Sequence, residues 1–124
     1  MTKFREFKTK KDTLILAGKS AENNEELIKQ IEPQEEVFHT ANPGSPFVNI
    51  KGKPKLGDIK TASVICAQYS KDWRDNKSDI LIHQFKGKDI YKKKGMKTGT
   101  FGIKKFKAIN VKKKEIEELI KLNK

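Results

Sequence analysis

The chain has 124 residues, with 28 lysines and arginines against 16 aspartates and glutamates, a formal charge of +12. Hydrophobic residues make up 35% and fall in patterned runs, enough for one modest core, so wholesale disorder is excluded. No apolar run approaches the roughly eighteen residues that cross a bilayer, and the single cysteine, Cys66, excludes an internal disulfide and any multi-cysteine metal site.

The N-terminal MTKFREFKTKKDT has charges but no apolar run behind them, so no signal peptide is expected and the cytoplasm is the expected compartment. Lys3–Lys8 reads as an edge strand and Lys10–Asp12 as a turn. Thr13–Ala17 is a short buried strand ended by Gly18. Ser20 stands where a helix N-cap belongs, with a stripe of Leu27, Ile28 and Ile31 behind it. Glu22, Glu25 and Glu26 lie in its first turns, where carboxylates complement the helix dipole, and Pro33 should close the helix. Glu36–Thr40 and Phe47–Lys51 read as a paired hairpin around the turn Asn42–Pro46.

A second helix is predicted from Asp58 to about Trp73, because Ile59, Ala62, Ser63, Cys66, Tyr69, Ser70 and Trp73 share one face of a 3.6-residue repeat. Asp79–Phe85 reads as a strand, followed by two or three short basic strands. Asn110 is expected to cap a last helix carrying Ile116, Leu119 and Ile120, with Lys112–Lys114 at the end the dipole disfavours. The expected fold is thus a single α+β domain over residues 1–124, with a mixed, mostly antiparallel sheet and about three helices in the order ββ-α-ββ-α-β-ββ-α.

Charge is concentrated between Lys86 and Lys107, which hold nine lysines and one acid, Asp89. Ile90, Tyr91, Phe101, Ile103 and Phe106 recur through this stretch, and Gly87, Gly95, Gly99 and Gly102 punctuate it, so it reads as folded strands rather than a tail. A folded basic surface is the footprint of a polyanion binder, against the alternative of a solvated face kept for solubility.

Four segments resemble one family. Gly18-Lys19-Ser20-Ala21-Glu22-Asn23-Asn24-Glu25-Glu26-Leu27 is similar to its Gly-Arg-(Asp/Ser)-Ala-x-x-Asn-(Asp/Glu)-x-Leu segment. Phe38-His39 with Pro43-Gly44-Ser45 is similar to its Phe-His…Pro-Gly-Ser-His segment. Ala62 to Trp73 resembles its Ala-x-x-x-Ala-x-Tyr-Ser-x-x-Trp helix, and Lys97 to Ile103 its Pro-Thr-Gly-Ser-Phe-x-Ile segment. The family is NFACT-R, the RNA-binding domain found C-terminal in the NFACT ribosome quality-control factors, and the chain resembles a free-standing member. The resemblance implies a non-enzymatic RNA-binding protein that takes structured RNA, tRNA or rRNA, near the ribosome and translation.

The candidate RNA contacts follow. Lys92, Lys93, Lys94, Lys97, Lys104 and Lys105 would hold phosphates as point charges, giving affinity without sequence reading. Lys19, Ser20, Asn23 and Asn24 open a helix, which suits a phosphate or plain capping. His39 is either a donor to a phosphate or base edge or a structural histidine, and Ser45 either an RNA contact or a turn residue. Tyr91, Phe101 and Phe106 are stacking candidates or core residues. With arginine only at positions 5 and 74, bidentate base reading is poorly supplied. No metalloprotease, zinc, nucleotide-loop or nucleophile-elbow motif appears, and neither a catalytic residue nor a metal or other cofactor is expected. The alternatives are a small RNA-processing enzyme using His39 with Ser45 or Tyr69, and a ribosome-docking adaptor.

Overall fold

The computed structural model describes residues 3–122; positions 1, 2, 123 and 124 of the expected domain lie outside the described residues. The chain builds β1 (Arg5–Lys8), β2 (Leu14–Ala17), α1 (Ala21–Lys29), β3 (Glu36–Thr40), β4 (Val48–Ile50), α2 (Asp58–Gln68), α3 (Lys71–Asn76), β5 (Ile80–Lys86), β6 (Ile90–Tyr91), β7 (Gly102–Ile103), β8 (Lys107–Val111) and α4 (Lys113–Leu122). Six strands form one sheet in the order β1-β2-β4-β3-β5-β8, antiparallel at every pairing, and β6 with β7 forms a separate two-stranded ribbon. The α+β class read from the sequence is what the chain adopts.

Strand alternation divides the core in two. Ile15, Ala17, Phe38, Val48, Ile50, Ile80 and Ile82 point to one face, where they meet Ala62, Ile65 and Cys66 of α2 and Ile116 of α4. Small residues on α2 let its backbone approach the sheet closely. Leu16, Val37 and Phe85 point to the other face, where Phe47 and α1's Leu27 join them and Phe101 and Ile103 from the ribbon close over. The register sets His39 of β3 directly opposite His83 of β5 on this second face. Among the described residues, no helix is long and apolar enough to cross a membrane.

Three helix boundaries differ from expectation, each because a side chain diverts the backbone. The predicted Asp58–Trp73 helix is two helices. Ser70 Oγ donates to Ala67 O at 2.7 Å and accepts the Trp73 N–H at 3.1 Å, which ends α2 and caps α3. Among the described residues there are therefore four α-helices rather than three, and Trp73 still reaches the core. α1 stops at Lys29, before Pro33. Gln30 N–H turns back to Leu27 O, and its carbonyl accepts from Lys51 Nζ at 3.3 Å. Asn110 lies inside β8, paired with Leu81, and caps nothing. Asp79 serves α4 instead, accepting the Lys113 N–H at 2.8 Å, while Glu115 accepts the Lys112 N–H at 3.0 Å. These two carboxylates offset the lysines at that helix start.

Candidate nucleic-acid interface

At the end of the sheet where β2 leads into α1 and β3 turns into β4, the chain encloses a cavity of about 520 Å³. The four segments that carry the family resemblance are far apart in sequence and all contribute to its wall. Gly18 through Ala21 and Asn24 come from the start of α1, and His39 with Pro43–Phe47 from the β3–β4 turn. Tyr69 comes from the break between α2 and α3, Arg74 from α3, and Thr98–Phe101 from the ribbon loop. Among the described residues lining it none is acidic, although the chain has 16 acids, and both of its arginines, Arg5 and Arg74, are there.

The wall is rigidly built. Ser20 Oγ accepts the Asn23 N–H at 3.1 Å, and Asn23 Oδ1 accepts the Lys19 N–H at 2.9 Å, so this pair caps α1 and fixes its entry. Buried Asn24 accepts the Phe47 N–H through Oδ1 at 3.2 Å, tying the helix to the β4 approach. Ser45 Oγ accepts the Thr40 N–H at 3.0 Å and donates to Pro46 O at 3.1 Å, so its hydroxyl closes the turn. Arg5 donates to Gly18 O at 2.7 Å and lies 4.4 Å over the Tyr69 ring. Gly99 has φ +82°, and a Cβ there would stand 2.8 Å from that of Ala21, so the ribbon loop meets the helix start only as glycine.

His39 lies 4.3 Å from the Phe47 ring in a stacked pair. Its Nδ1 is 3.0 Å from Thr40 O, which makes Nδ1 the protonated nitrogen and Nε2 an acceptor. Burial pushes its pKa down to about 4, so the ring is neutral at pH 7. Of the two roles read for His39 from sequence, the bond to the turn backbone is present, and a neutral ring so bonded has only an acceptor nitrogen left to offer a ligand. Cys66 is fully enclosed beneath the turn, and burial pushes its thiol up to about 12.

The ribbon lysines divide into two kinds. Lys92 is an internal anchor. Its ammonium donates to Glu25 Oε2 at 2.7 Å, to Thr100 O at 2.7 Å and to Lys97 O, and lies 4.6 Å over Phe101. The same Glu25 oxygen accepts the Gly99 N–H at 2.6 Å. The Lys92 hydrogen bond, with that of Gly99, holds the Glu25 carboxyl below its ordinary value. Lys93, Lys94, Lys97, Lys104 and Lys105 are exposed, and among the described residues none of their ammonium groups is ion-paired. Of the aromatics between them, Phe101 packs edge-on against Phe47 in the core, Tyr91 is half-buried, and Phe106 is 53% exposed and stacked 3.9 Å from His83.

Sequence reasoning did not single out Arg5, Arg74, Tyr69, Thr98, Thr100 and His83 as neighbours in one site. A signal was present for the arginines: a chain that otherwise spends all its positive charge on lysine keeps two guanidinium groups. Nothing in the sequence pointed to His83. Among the described residues, no three His, Cys, Asp or Glu side chains gather as a metal site.

The family model described as the NFACT protein RNA binding domain matches residues 3–105. Among solved structures, the C-terminal part of the fibronectin/fibrinogen-binding protein from Streptococcus suis is similar, with a TM-score of 0.79 and 24% identity over 95% of this chain. That likeness is one of fold, and this chain spans 49% of the other. No curated protein matches the chain.

Proposed function

The chain belongs to the NFACT RNA-binding domain family, and on that premise we propose that residues 1–124 act as one non-enzymatic RNA-binding domain whose targets are tRNA or rRNA. The setting is the cytoplasm, in translation or ribosome-associated quality control. The observation that carries this reading is the placement of charge. An acid-free cavity holding both arginines adjoins a ribbon on which five lysines stand without ion-pair partners among the described residues. Point charges on a projecting ribbon suit the phosphates of a folded RNA, because they bind by geometry and number rather than by base identity.

Lys93, Lys94, Lys97, Lys104 and Lys105 supply the backbone contacts, and Lys92 holds the ribbon loop on α1 so that they project as a unit. Lys19, Ser20, Asn23, Asn24, His39 and Ser45 frame the second contact at the cavity. Five neutralised phosphates give a slope of log K against log salt of roughly −3.5 to −4.5. Fluorescence anisotropy with a labelled tRNA and an rRNA fragment between low and physiological salt measures it, and a flat response overturns the reading. Crosslinking in cells followed by sequencing of the bound RNA identifies the target.

A further inference from the structure

Ribbon and cavity present different chemistry, and the difference specifies what the cavity takes. The ribbon offers exposed ammonium groups that suit any phosphate backbone. The cavity offers two guanidinium groups, the edges of aromatic rings and the His39 imidazole in a half-open recess of about 520 Å³. That volume lies in the range of small-molecule sites and is too confined for a double helix. Phosphate alone leaves the aromatic wall and the His39 acceptor unused. An acidic peptide likewise brings no planar ring to that wall. We infer that the cavity receives one unpaired nucleotide of the bound RNA, at a strand end or a bulge, while the ribbon lysines hold the adjoining helix.

The fit is chemical at each point. Arg74 lines the cavity with its guanidinium exposed, a planar fork that matches phosphate, while Arg5 is held by Gly18 O and the Tyr69 ring and adds its charge to the same wall. His39, whose Nδ1 is held by Thr40 O, has Nε2 left to accept from a ligand in the cavity it lines. Every nucleobase carries an N–H donor on its Watson–Crick edge, and a ribose carries a 2′ hydroxyl; in a paired region those N–H groups are already taken. His83 sits in the wall next to His39 and carries exposed Phe106 stacked on it, which extends the aromatic surface outward from the cavity.

This inference rests on the RNA-binding reading, and one experiment separates the two. A labelled blunt RNA hairpin is compared with the same hairpin carrying a three-nucleotide single-stranded 3′ or 5′ overhang, titrated with wild-type protein and with Arg74→Ala, His39→Phe and Lys93→Ala/Lys94→Ala variants. His39→Phe keeps an aromatic ring on Phe47 and removes the acceptor; Arg74→Ala alters an exposed side chain, and thermal unfolding checks both folds. Wild type is expected to prefer one overhang at least tenfold. Arg74→Ala and His39→Phe should erase that preference, bringing the overhung hairpin's affinity down to that of the blunt one. The double lysine variant should weaken both RNAs alike and keep the preference. Equal affinity for blunt and overhung hairpins, with binding retained, overturns the unpaired-nucleotide site alone. Absence of binding to either RNA overturns the RNA-binding reading itself.

Discussion

The two faces of the six-stranded sheet are built to opposite ends. The face under α2 and α4 is sealed: Ile15, Phe38, Val48, Ile50, Ile80 and Ile82 lie there with no exposure. The other face is covered at one end by α1 and the ribbon and is open elsewhere. Leu81 remains 44% and Phe106 53% exposed, and His39 and His83 look toward a cavity rather than a core. One face can hold the fold together because its strand residues are nearly all apolar. The other can carry histidine and asparagine beside aromatics because the first supplies the stability, while Arg5, on the first face by its register with Ala17, reaches the cavity over Tyr69. A shared β3 strand makes this concrete: Phe38 points to the sealed side, while its neighbour His39 points to the open one.

The contrast can be broken hardest at Phe38. Phe38→Ala leaves a cavity in the sealed face and should cost about 3–5 kcal/mol in urea unfolding; a loss below about 1 kcal/mol would mean that this face is not the main source of stability. His39 tests the open face through pH. Its folded pKa of about 4 lies below the ordinary 6.5, so above that ordinary value both states are neutral and nothing is lost. Below it the unfolded chain takes up a proton that the folded one refuses. Stability should therefore fall by about 3 kcal/mol as pH drops from 7 to 4, and His39→Phe should abolish that part of the dependence.

The clasp between ribbon and α1 is worth less. Glu25→Gln should cost about 1–2 kcal/mol and speed hydrogen exchange at the Gly99 amide. Because the Glu25 pKa is depressed from 4.5, its contribution is complete above that value and is lost as pH falls through the lower folded one. Slow exchange at Gly99 in both the variant and the acidified protein would show that the loop is held by packing alone. Lys93→Ala/Lys94→Ala should have the smallest effect on stability, within about 0.5 kcal/mol. The same pair should make the salt slope of RNA binding shallower by about 2. A comparable Lys92→Ala change should instead resemble Glu25→Gln.

Those contrasts also mark what could be read without coordinates. The strand at Thr13–Ala17 was plain because an unbroken apolar run this short, ended by Gly18, fits a strand covered on both faces. The Asp58–Trp73 stripe was also real, but Trp73 can satisfy it from a new helix once Ser70 takes the backbone bonds at the break. Periodicity reports which way side chains face, and the hydroxyl decides whether the ladder runs through. In the basic stretch, a lysine on an internal carboxylate and a lysine in solvent have the same letter. Only the approach of α1, sixty-seven positions away, separates Lys92 from Lys93. The cavity was legible as four blocks but not as a cavity, because Arg5 and His83 reach it through strand pairing that no local pattern records.

The strand order has one more consequence. Among the described residues, β1 and β8 are the two outer strands of the sheet, each paired on one side, and such edges are where sheets of separate chains join. β1 begins and ends on Arg5 and Lys8, and β8 begins on Lys107 just after Lys104 and Lys105. Two such edges brought together would set cation against cation. The positive charge along these strands thus works against copies of the chain joining sheet to sheet.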